Sequence, residues 1–101
     1  MSTPPNNHPL DRAGIMASIL AAMPGTDSFS QRQRILTAIQ KMGSVTTFEG
    51  SRYLDCYDPR ARVHELRRAG SRIKTVMRAE RTESGNLHRV GVYVLDGVAH
   101  A

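Results

Sequence analysis

One short segment constrains this chain more than any other: Asp58-Pro59, then ten residues ending at Ala69, then Gly70. Asp is a preferred helix N-cap, Pro is preorganised for the first helical position, and Gly favours the left-handed stop. The bounded helix is poor in apolar residues and rich in arginine. Counting about 100° per residue from Leu66 puts Val63 and Ala69 on the same side. Arg60, His64, Arg67 and Arg68 then face outward, while Arg62 falls at the rim, in reach of Glu65 or Asp58. So little apolar surface cannot hold a helix by itself, and the neighbouring segments have to supply the support.

Those segments read as two more helices and a hairpin. Ser30 with Gln33 fits a capping box, and Ile35, Leu36, Ile39 and Met42 follow at helical spacing up to Gly43. Thr46 with Glu49 forms a second capping box and opens a short helix carrying Phe48 and Leu54. Gly50 inside that helix costs roughly 1 kcal/mol against alanine, which close crossing by the next helix would offset. In the turn, Asp55 tolerates a left-handed conformation, and Cys56 is small and apolar enough to plug the angle between helices. Residues 72–82 and 87–95 read as strands, joined at Glu83-Ser84-Gly85-Asn86.

The flanks differ in kind. Residues 1–10, with Pro4, Pro5 and Pro9, have the composition of a disordered tail, and residues 97–101 that of a loose end. Residues 11–23 form a leader helix with Ile15, Met16, Ile19, Leu20 and Met23 on one side, and Pro24-Gly25 starts a linker up to residue 27. That stripe either packs on the domain at 28–96 or pairs with a second copy in a homodimer. As a signal-peptide core the run is poor, since Asp11 precedes it and Arg12 is its lone cation.

Composition narrows the function. One domain accounts for 101 residues. The single Cys56 excludes an internal disulfide and points to an intracellular, cytoplasmic protein. No segment is long enough to span a membrane. His8, His64, His88 and His100 lack zinc-ligand spacing, and no phosphate loop, dinucleotide fingerprint or catalytic triad is legible. The reading is a non-enzyme without metal, cofactor or small-molecule ligand. Net charge is +5, with twelve Arg to two Lys. Between Arg60 and Arg81 eight cations meet two acids, a local net of +6. A basic field so concentrated favours nucleic acid over general solubility.

A cationic helix held by two small helices and followed by a hairpin suits the DNA major groove. The expected DNA-binding residues are Arg60, His64, Arg67 and Arg68 on the helix. Arg81, His88 and Arg89 on the hairpin are expected to rest on the backbone or in the minor groove. Gln31, Arg32 and Thr47, at helix starts, are weaker candidates for phosphate contacts. Tyr53, Tyr57 and Tyr93 are expected in the core or turns, which leaves RNA without a stacking platform. The competing reading is a protein-interaction adaptor whose basic face meets an acidic partner.

Four runs carry a resemblance. They are Gln33-Arg34-Ile35-Leu36, Val45-Thr46-Thr47, the helix from Pro59 to Gly70, and Arg89-Val90-x-Val92-Tyr93-Val94-Leu95. Over roughly residues 30–95 the chain resembles a small winged helix-turn-helix family of bacteriophages and bacterial prophages. The resemblance implies an α+β winged helix-turn-helix fold, here with an extra N-terminal helix, and a DNA-binding transcriptional regulator. Asp55 and Cys56 depart from the family pattern, in which Gly and a larger aliphatic are common.

Overall fold

The structure, a computed structural model, describes residues 11–96. The expected tail at 1–10 and loose end at 97–101 lie outside the described residues. The elements in chain order are α1 (Asp11–Ala22), α2 (Ser28–Met42), β1 (Ser44–Thr46), α3 (Thr47–Arg52), α4 (Pro59–Arg68), β2 (Ile73–Arg81) and β3 (Leu87–Leu95). No helix among them is long and apolar enough to cross a membrane.

Local chemistry accounts for most boundaries. Thr46 and Glu49 form the expected capping box: the Glu49 backbone N–H donates to Thr46 Oγ1 at 3.0 Å, and the Thr46 N–H donates to the Glu49 carboxylate at 3.0 Å. Asp58 caps α4 by accepting from the Ala61 N–H, with Pro59 in the first turn. Gly43 ends α2 in the left-handed conformation, φ +87°. The Ser30–Gln33 capping box does not form. Asp27 caps α2 instead, accepting from the backbone N–H and the hydroxyl of Ser30. The Asp27 carboxylate takes the Ser30 N–H that the Gln33 side chain would need in that box, and the charged acceptor is the stronger one, so the helix begins at Ser28.

The turn between α3 and α4 is as expected. Asp55 takes φ +56°, and Cys56 is buried, its Sγ 3.6 Å from the Gln31 carbonyl. Burial pushes the Cys56 thiol up to about 11. Gly50 is a close-approach residue: a Cβ there would stand 3.2 Å from both Cβ and Cγ of Pro59. The short α3 therefore lies directly against the start of α4.

The hairpin gains a third strand that the sequence pattern does not reveal. β1 pairs antiparallel with β3 through Ser44–Val94, Val45–Tyr93 and Thr46–Val92, giving the order β1-β3-β2. Three residues are too few for alternation to register as a pattern; only the partner strand makes them a strand. The core joins Met16 and Ile19 of α1, Ile35, Ala38 and Ile39 of α2, Val45, Leu54, Cys56, Val63, Leu66, Ile73 and Tyr93. The leader helix thus buries the centre of its stripe against its own domain.

The largest fully buried side chain is Arg34, at 0 % exposure. Its Nε donates to the Leu54 carbonyl at 2.7 Å. Its two Nη atoms donate to the carbonyls of Met23 (2.7 Å), Gly25 (2.9 Å) and Asp55 (3.3 Å). One guanidinium thus ties the linker after α1 to the turn before α4. The planar fork of donors makes arginine suited to four scattered acceptors.

Candidate nucleic-acid interface

α4 turns Val63 and Leu66 inward and leaves Arg60, His64, Arg67 and Arg68 exposed, as the helical count places them. Arg62 Nη2 donates to Glu65 at 2.8 Å, and Arg32 reaches the other oxygen of the same carboxylate at 3.1 Å. The Arg32 hydrogen bond, followed by that of Arg62, holds the Glu65 carboxyl below its ordinary value. This triad orients α4 against α2, and it occupies Arg32. Gln31 is likewise buried, with its Nε2 donating to the Thr26 carbonyl at 2.7 Å. Neither residue offers the phosphate contact expected at the start of α2.

β2 and β3 pair from Ile73–Leu95 to Arg81–Leu87, with Gly85 in the turn. Residues directly opposite in an antiparallel pair share a face, and the face alternates along each strand. Arg89, opposite Ala79, therefore shares a face with Thr75, Met77 and Tyr93, and this face looks toward α4. Arg81 lies on the same face nearer the tip, where its guanidinium donates to the Gly85 carbonyl. His88, opposite Glu80, is on the other face. The hairpin cations expected to act together are therefore split by the pleat.

Between α4 and the hairpin lies a groove of about 670 Å³. Arg60, Val63, His64 and Arg67 form its helix wall. Thr75, Met77 and Arg89 form its sheet wall, and Thr47 and Phe48 close one end. Four of the seven expected residues, Arg60, His64, Arg67 and Arg89, meet here, and among the described residues no carboxylate lines it. Arg68 instead borders a shallow depression with Arg32, Glu65 and Ala69. Arg67 also has a structural role, since its Nε donates to the Ile73 carbonyl at 2.7 Å and its Nη2 to Thr75 Oγ1 at 2.9 Å. It braces the hairpin against α4 and sets the width of the groove. Thr47 Oγ1 donates to the Tyr93 hydroxyl at 3.2 Å, locking α3 to the sheet.

Phe48, read from the sequence only as an apolar residue of the short helix, joins Thr75 and Met77 as groove residues that sequence reasoning does not assign to the site. It is 59 % exposed, whereas Leu54 is buried. The Tyr53 ring stands edge-on to it, with centroids 6.3 Å apart, and the Arg52 guanidinium lies 5.9 Å from its centroid. The available signal is the position of Phe48 immediately after Thr47 at the start of α3, where only one turn exists and one face is already taken by Gly50 against Pro59.

Arg12 fixes the leader helix to α3 and β1. Its Nε and Nη2 donate to the two Glu49 oxygens at 2.9 and 2.8 Å, and Nη2 also donates to the Ser44 carbonyl at 3.0 Å. Burial pushes the Glu49 carboxyl up, but the Arg12 hydrogen bond, the Thr46 backbone N–H and the Arg12 charge together hold it below its ordinary value.

A search of curated proteins returns no match to this chain. A family model does match, over residues 30–98, and its description, winged helix-turn-helix domain, agrees with the helices and three-stranded antiparallel sheet seen here. The chain belongs to the winged helix-turn-helix domain family.

Proposed function

We propose that this protein is a non-enzymatic, double-stranded DNA-binding protein that acts as a transcriptional regulator in the cytoplasm of a bacterium or in a phage or prophage. The observation that carries the reading is the convergence of Arg60, His64, Arg67 and Arg89 on one groove that no carboxylate lines among the described residues. α4 enters the major groove with Arg60 and His64 leading, because the start of a recognition helix goes deepest. Arg60 grips guanine through its fork of donors. Arg89 and Arg81 rest on the phosphate backbone, and Arg68 and His88 contact phosphates on the outer sides of helix and hairpin.

A single module of this size makes few contacts, so useful specificity calls for two copies on a two-fold site. With Met16 and Ile19 buried inside the chain, the surface left for pairing is the depression lined by Ile15, Ala22 and Met23.

The test is fluorescence anisotropy with a random duplex of about 20 base pairs, between about 50 and 300 mM salt. The expected result is binding whose log K falls by several units per unit of log salt, one for each phosphate engaged. On a selected site, Arg60→Ala costs about 1–3 kcal/mol and relaxes discrimination at one position. Absence of binding at the lowest salt overturns the reading, and a stoichiometric protein partner recovered after nuclease treatment would put the adaptor in its place.

A further inference from the structure

Phe48 is an anomaly in a basic groove. A large aromatic ring left 59 % exposed, with the Tyr53 ring edge-on to it and the Arg52 guanidinium 5.9 Å from its centroid, gains nothing from water. Met77, 49 % exposed, lines the same groove from the sheet side. The surrounding charge comes from Arg60, Arg67 and Arg89, so the occupant of the groove is polyanionic, yet it must bring an apolar group to the ring. On the edges of the base pairs in the major groove of B-DNA one such group is available, the 5-methyl of thymine.

We infer that Phe48 is a specificity-determining residue that packs on a thymine methyl beside the bases read by Arg60. The inference rests on the DNA-binding reading above and adds a base preference to it. It also assigns that preference to α3, whose other contacts brace α1, α4 and the sheet. The ring discriminates thymine from cytosine and from uracil, which lacks the methyl and has the same hydrogen-bonding edge.

The experiment uses the full chain and the tightest duplex selected from a random pool. Thymines of that duplex are replaced one at a time by uracil. Wild-type protein is expected to lose about fourfold in affinity at one or two positions, the value of one buried methyl group. Phe48→Ala is expected to bind the thymine and uracil duplexes equally, and Phe48→Leu to retain part of the preference. Because Phe48 is exposed, both variants are expected to melt like the parent, which circular dichroism checks. Equal weakening of the two duplexes by Phe48→Ala would mean a sugar contact and overturn the assignment, as would wild-type indifference to every uracil. Failure to bind any duplex would instead overturn the DNA reading itself, and with it this inference. Binding of the unmodified thymine duplex, measured first, separates the two failures.

Discussion

The junctions between the helices and the walls of the groove use the same residue type for opposite purposes. In the helices, Arg34 is buried on four carbonyls, Arg32 and Arg62 share Glu65, and Arg12 grips Glu49. In the hairpin, between Lys74 and Arg89, every residue but Glu80 is exposed, and Arg89 points toward the groove. Arginine count is therefore a poor guide to a binding surface. What separates a structural guanidinium from an available one is the number of protein acceptors already within reach. Arg67 stands between the two classes, because it braces Ile73 and Thr75 from within the groove wall.

Three substitutions break or sharpen that contrast. Arg34→Met should have the largest effect. It removes the guanidinium from the carbonyls of Met23, Gly25, Leu54 and Asp55, and Leu54 keeps only the weak Cys56 thiol donor, in a domain whose total stability is of the order of 5–15 kcal/mol. The expected loss is about 3 kcal/mol or more, read by urea unfolding. If Arg34→Met unfolds at the parent's midpoint, the buried guanidinium is not the tie between linker and turn.

Arg89→Ala should be the mirror image. Stability is expected to stay within about 0.5 kcal/mol. DNA affinity should fall by a similar factor on all sequences, with the salt slope reduced by about 1. A change confined to one sequence would instead make Arg89 a base reader.

The smallest effect concerns acid. Glu49 has its folded-state value depressed below 4.5, so its contribution is present above that value and is lost as pH falls through the folded one. Thermal melts should show the stability of the parent declining below about pH 4.5, and Glu49→Gln should flatten part of that decline. A parallel decline in both proteins would assign it to other carboxylates, Glu65 first.

Much of the architecture is legible from local chemistry. The Thr46–Glu49 box, the Asp58-Pro59 start, the left-handed Asp55, the Gly50 crossing and the hairpin at 83–86 are each decided by a few adjacent residues. The groove is legible in part. The outward face of α4 follows from helical period alone. The split of Arg89 from His88 follows from the pleat, once the strands are fixed. Asp27 replaces Ser30 as the cap of α2 because its carboxylate and the Gln33 side chain compete for the Ser30 N–H, and spacing does not rank them.

The sequence by itself determined the helices, the hairpin and the basic character of α4, since caps, turns and periodicity act over a handful of residues. Only the tertiary structure decided which cations remain available, that β1 exists, that the leader helix packs on its own domain, and that Phe48 stands in the groove. Each of these depends on a partner distant in the chain: Arg34 on Leu54, Arg12 on Glu49, Val45 on Tyr93. Hydrogen bonds and burial at long range are set by how the helices and sheet close on one another, and no local pattern contains that information.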